Sequence, residues 1–163
     1  MKRLQLFVLQ KFSVMEVNKV ELPNDVMLGE VSKMLDEGHN VTFMAKGNSM
    51  LPFIVGEKDS VEIGKRPEYK PGDIVLSKTD RKIWVLHRYL SSDGETVTLK
   101  GDGNLVGTEK CAVGDIVGAV DRIIKPGRVV DCSSAVFKKE SAAWRRQPYL
   151  IRRVILAIYR RVI

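Results

Sequence analysis

The sequence predicts a mainly β protein, a compact antiparallel β domain with a helix before it and a basic amphipathic helix after it. Three observations carry that expectation. Between Gly38 and about residue 132 the apolar residues fall in short β-rich runs, separated by turn signals such as Lys70-Pro71-Gly72-Asp73 and Ser92-Asp93-Gly94. Helical periodicity is confined to the two ends of the chain. Nothing alternates strand with helix, as a parallel sheet would require.

Taken in order, Met1–Lys11 has a basic start and a short apolar run that Gln5, Gln10 and Lys11 interrupt. It reads as a strand or a loose arm, since a secretory apolar region needs about 7–15 uninterrupted residues. Met27, Leu28, Val31, Met34 and Leu35 line one face of a helix over 24–38, with Asn24 or Asp25 as N-cap and Gly38 as the C′ stop. Strands are predicted at Val41–Ala45, Ser60–Ile63, Asp73–Lys78, Ile83–Leu90, Glu95–Lys100 and Ile116–Ile124. The chain thus divides into an arm and helix (1–39), a β domain (40–132) and a basic tail (133–163).

In the tail, Lys138-Lys139, Arg145-Arg146, Arg152-Arg153 and Arg160-Arg161 face one acid, Glu140. Spacings of 7 and 8 between the Arg pairs rotate by roughly −20° and +80° on a helix, which gathers them on one broad face. Leu150, Val154, Ile155, Ala157 and Ile158 lie opposite, and Pro148 starts or interrupts the helix. Two readings fit. Such a helix lies on an anionic membrane surface, or its apolar face packs on the domain and leaves the arginines in water. Nucleic acid is disfavoured, because few aromatic side chains are available to stack on bases.

The net charge is +7, and 44% hydrophobic with 29% charged residues is ordinary globular composition. Cys111 and Cys132 show no metal-ligand spacing and read as two buried thiols. No apolar run reaches the ~18–20 residues of a spanning helix. The expected location is therefore cytoplasmic, and peripheral at the inner membrane face on the membrane reading of the tail. No cofactor or metal is implied.

Three short segments could carry chemistry. Gly47-Asn48-Ser49-Met50-Leu51-Pro52 follows a predicted strand and presents a hydroxyl on a turn. Trp84-Val85-Leu86-His87-Arg88-Tyr89 holds one of only two histidines; the other, His39, reads as a loop residue. Lys100-Gly101-Asp102-Gly103-Asn104 is a tight turn able to aim a carboxylate inward. Taken singly, each has an ordinary structural reading: a turn serine, a half-buried strand histidine, a surface β-turn.

In combination and in this order, together with Lys70-Pro71-Gly72-Asp73-Ile74-Val75, the segments resemble the signal-peptidase and LexA-like serine peptidase superfamily. Ser49, Met50 and Pro52 match the nucleophile box of signal peptidases. Most bacterial members carry a Lys before the Arg of the later box. His87 stands there instead, as in the endoplasmic-reticulum and SipW-type branch, and Asp102 matches the supporting Asp of that branch. The resemblance covers about residues 40–120 and implies a LexA/signal-peptidase-like β fold and a serine endopeptidase. Signal peptidases have spanning helices and LexA-type members a DNA-binding domain; neither is visible here.

A serine hydroxyl is too weakly acidic to attack an amide unaided and needs an adjacent base. Neutral His87, with an ordinary pKa near 6.5, suits that role. On the resemblance, Asp102 orients the imidazole and stabilises its cation. The Ser49 N–H is the expected oxyanion donor. Arg88 faces away from His87. Lys46, Lys78, Lys82 and Lys100 are rival bases. Gly47, Met50 and Pro52 are the expected substrate-binding residues. The apolar run of Phe43, Met44, Met50, Leu51, Phe53 and Ile54 has two readings: a groove where an extended peptide adds as a strand, with small side chains near the cut, or ordinary core. The alternative is a non-catalytic module on the same fold that binds a peptide or protein.

Overall fold

In a computed structural model, residues 24–163 are described in full, preceded by two strands, β1 (Leu4–Leu6) and β2 (Val20–Leu22). The other residues of the expected N-terminal arm lie outside the described residues. Helix α1 runs over Asn24–Asp36. It ends as the sequence predicts: Gly38 adopts φ 87°, its N–H donates to Leu35 O, and the His39 N–H donates to Met34 O. This is the paired closure that a left-handed glycine permits. Met27, Leu28, Val31 and Leu35 are buried against the sheet, and Met34 is half-buried.

The rest of the domain is a curled antiparallel sheet. Its strands are β3 (Val41–Met44), β4 (Ser60–Gly64), β5 (Ile74–Lys78), β6 (Trp84–Ser92), β7 (Thr96–Lys100), β8 (Glu109–Ala112), β9 (Ile116–Lys125) and β10 (Arg128–Asp131). They lie in the order β2-β1-β3-β4-β9-β5-β6-β7-β8, with β10 also paired to β9. The mainly β expectation holds. Three strands lie outside the predicted set: β2, and the short β8 and β10, of whose four residues each at least half are exposed. Edge strands of this kind carry little apolar periodicity to read.

Long β9 organises the sheet by pairing with β4 through Ala119–Ile124 and with β5 through Ile116–Ala119. Phe43, Val61, Ile63, Leu76, Val120 and Ile123 form the main core with α1. Val75, Tyr89, Val97, Leu99, Cys111 and Ala119 form a second on the other face.

The tail is two helices, α2 (Ala135–Arg146) and α3 (Tyr149–Val162), separated at Pro148, which caps the second. Ser134 caps α2, its hydroxyl accepting from the Phe137 N–H at 3.2 Å. Phe137 enters the main core, while Trp144 and Leu156 bury Leu51 from the loop after β3. The arm, the β domain and the tail therefore share one packed body: β1 pairs with β3, and both tail helices close over loops of the sheet.

The expectation that the Arg pairs share one broad face, with the apolar residues opposite, is overturned. Arg152, half-buried, and Arg160, itself exposed, direct their guanidinium groups to backbone carbonyls of the domain, while Leu150, Val154 and Ile158 are exposed. The reason is geometric: adjacent residues on a helix stand 100° apart, so one member of each pair falls on the inner face. Cys111 and Cys132 are free thiols, the first buried and the second half-buried, and burial pushes the Cys132 thiol up to about 12. At neutral pH it is a protonated, unreactive group.

Candidate active site

The serine turn is built from below by its apolar neighbours. After β3, Ala45 exchanges backbone hydrogen bonds with the far end of the loop, its N–H donating to Asp59 O and its carbonyl accepting from the Glu57 N–H. The Asp59 carboxylate accepts from the Val55 N–H at 2.8 Å, pairs with Lys125, and is buried. Within this frame, Phe53 and Ile54 both donate to Met50 O at 3.0 Å and wind residues 49–53 into a turn. Met50 and Ile54 drop into the main core; Leu51 drops the other way, against Trp144 and Leu156. Ser49, half-exposed, is left at the top of the turn. Among the described residues its N–H has no intramolecular partner, so it remains available to an oxyanion.

Three glycines let other backbone press against this turn. A Cβ at Gly101 would stand 2.4 Å from Ser49 O, one at Gly103 2.6 Å from Asn48 O, and one at Gly56 2.2 Å from Gly47 O. The Gly103 N–H donates to Ser49 O at 2.8 Å. The Gly-Asp-Gly segment is thus no surface turn; it is buried and clamps the serine turn from behind.

His87 reaches the site from β6. Ser49, Gly47, Lys46 and Met50 line one side of a cleft of about 170 Å³, and Trp84 to His87 line the other. The structure thereby brings together the serine and histidine singled out by the sequence, with no direct hydrogen bond between the two side chains. Pro52, which follows a cis peptide bond, lies outside that lining. Of the rival lysines only Lys46 lines the cleft; Lys100 donates to Leu105 O and Lys78 lies over the Trp84 ring.

The orienting acid differs from the expected one. The His87 Nδ1 is 2.9 Å from Glu109 Oε2, whereas both carboxylate oxygens of Asp102 bind Arg88. Strand register explains this. Tyr89 pairs with Leu99 and Leu99 with Glu109, so Glu109 comes up on the face of β6 that carries His87 and Tyr89. Lys100 pairs with Arg88, and Asp102, two residues on, comes up on the Arg88 face. Arg88 is fully buried, its guanidinium over the rings of Phe53 and Phe137, and it also donates to Gly72 O at 2.7 Å. Asp102 is therefore a structural counterion in contact with Arg88. Glu109 escaped sequence reading because Glu-Lys-Cys-Ala has no strand signal; only the fold brings it to the histidine.

Burial holds the His87 imidazole below its ordinary value, although Glu109, through its charge and hydrogen bond, and the charge of Asp102 pull the other way. The ring is thus neutral at pH 7. With Glu109 Oε2 accepting from Nδ1–H, Nε2 is left as the ring's lone-pair acceptor. A half-exposed hydroxyl, a neutral imidazole across the same cleft, a carboxylate on its Nδ1 and a backbone N–H without an intramolecular partner are the kinds of group on which acyl transfer draws.

The C-terminal helices brace this set. The Trp144 Nε1–H and an Arg152 Nη2–H both donate to Asp102 O at 3.0 Å, and an Arg160 Nη2–H donates to Gly103 O at 3.2 Å. Arg152 also stacks over the Trp144 ring. Among the described residues no helix is long and apolar enough to cross a membrane. No protein-family model matches the chain, and no curated protein matches it in sequence.

Proposed function

We propose that the protein is a serine endopeptidase in which Ser49 is the nucleophile, His87 the general base and Glu109 the group that positions His87. The observation that carries this reading is the shared cleft of Ser49 and His87, with Glu109 on Nδ1. The imidazole Nε2 takes the hydroxyl proton as Oγ attacks the scissile carbonyl, and the resulting oxyanion accepts from the Ser49 N–H. The imidazolium returns its proton to the leaving amine as the C–N bond breaks. Water, deprotonated by the same nitrogen, then hydrolyses the acyl-Ser49 ester and restores the hydroxyl.

An extended peptide is the substrate class that the cleft favours. β7 pairs with β6 only from Arg88 onward, so the β6 edge over Trp84–His87 is open beside Ser49. A peptide added there as a strand carries one side chain into a cleft of about 170 Å³, which suits a small residue next to the cut. The test is peptide hydrolysis by wild type and Ser49→Ala. The variant keeps the wild-type circular dichroism and loses cleavage; retained cleavage contradicts the reading.

The missing Ser49–His87 hydrogen bond favours one other reading, a non-catalytic module that binds a peptide on the same open edge. Catalytic hydrogen bonds often tighten only around bound substrate. Peptide binding with no turnover in wild type, unchanged in Ser49→Ala, would decide for the module.

A further inference from the structure

Helix α3 presents its two faces the wrong way round for a helix that merely caps a soluble domain. Inward lie Leu156, fully buried, and the guanidinium groups of Arg152 and Arg160 on the carbonyls of the Gly101–Asn104 loop. Outward lie Leu150, Val154, Ile158 and Val162, between 57% and 73% exposed. Four-residue spacing sets them in one stripe of about 18 Å along the helix. Exposed apolar stripes of this kind mark an interaction surface.

Charge selects the occupant. From Ala135 onward the chain carries eight Lys and Arg against Glu140 alone, and α3 has no acid at all. Arg153 and Arg161 are exposed and sit on or beside the stripe. A second copy docked on the same face would bring these cations against their equivalents. Nucleic acid would meet aliphatic side chains where stacking needs aromatic ones. An anionic bilayer satisfies both features at once, with apolar side chains at the acyl boundary and arginines reaching upward to phosphate.

We propose that α3 is a membrane-surface helix: its Leu150, Val154, Ile158 and Val162 stripe lies in an anionic bilayer, Arg153 and Arg161 bind lipid phosphates, and Arg152 and Arg160 hold the active-site loop from the other face. Helix diameter then sets the Gly101–Asn104 loop about 10 Å from the lipid-facing side. The cleft is held beside the bilayer without any spanning helix. This inference does not depend on Ser49 being a nucleophile.

The test is co-flotation of the full chain with vesicles of equimolar phosphatidylglycerol and phosphatidylcholine, beside vesicles of phosphatidylcholine alone. Wild type floats with the anionic vesicles and is released by high salt. The triple variant Leu150→Ser, Val154→Ser, Ile158→Ser stays at the bottom, with circular dichroism and thermal midpoint unchanged because those side chains are exposed. Arg153→Gln and Arg161→Gln each lower the partition about fivefold. Failure of wild type to float, equal flotation of the triple variant, or equal binding to the neutral vesicles would overturn the proposal. So would a wild-type dimer that the triple variant converts to monomer, which would assign the stripe to a second copy.

Discussion

Two acids flank the His87–Arg88 pair, and they serve different partners. Glu109 holds Nδ1 and Asp102 neutralises Arg88, so replacing each has a different consequence. Glu109→Gln lowers kcat by about 10²–10⁴-fold, because an amide can donate to Nδ1 and so favour the wrong tautomer. It also moves the acidic limb of kcat/KM further down, since an interaction that raises the imidazole pKa is gone. In wild type that limb already lies below about pH 6.5, the ordinary value. The folded value is depressed, so the contribution of neutral His87 is complete above pH 6.5 or so and is lost as pH falls through the folded value. Urea melts between about pH 7.5 and 5 show this loss in wild type and a flatter profile in His87→Gln.

Breaking the Arg88–Asp102 pair acts on the fold. Arg88→Met leaves Asp102 buried without a counterion and costs about 3–5 kcal/mol in denaturant melts. The sequence marked Asp102 correctly as an inward carboxylate, but its partner is a matter of register, which no spacing along the chain reveals.

At the scale of elements, the serine turn is held between two backbone segments, and glycine is what allows the approach. Gly101→Ala sets a Cβ against Ser49 O and Gly103→Ala sets one against Asn48 O. Each costs about 1–3 kcal/mol, seen in thermal melts, and each displaces Ser49, so kcat/KM falls with stability. Elements with strong local signals were legible in the sequence. Helix α1 shows an apolar stripe and a glycine stop, and the central strands lie between turn residues. β8 was not legible, because Glu109–Ala112 is a polar edge that takes its strand identity from pairing with β7. The faces of α3 were misread for a related reason. Periodicity locates the Arg pairs on a helix, yet buried carbonyl groups at Asp102, Asn104 and Gly103 determine which arginines turn inward.

At the scale of the whole molecule, the tail belongs to the same cooperative unit as the cleft. Leu156 and Trp144 bury Leu51 beneath the serine turn, and Trp144 and Arg152 hold Asp102 O. Leu156→Ala costs about 2–5 kcal/mol. Its thermal melt stays a single transition at lower temperature, and cleavage is lost along that same transition. An independent tail would instead melt separately and leave the activity in place. The mainly β fold with helices at its ends was readable from texture alone. The shared core was not, because contacts between α2, α3 and the loops join residues more than forty positions apart.

The Ser49–His87 pairing is tested most simply by covalent labelling with a serine-directed phosphonylating probe, the modified peptide being identified by mass spectrometry. Wild type, Ser49→Ala and His87→Ala would be compared from about pH 5 to 8. A single adduct on Ser49 is expected, absent from Ser49→Ala, slowed by about a hundredfold or more in His87→Ala, and rising with pH along a limb below about pH 6.5. Labelling elsewhere on the chain, or at Ser49 with the same rate and pH profile in His87→Ala, would contradict it.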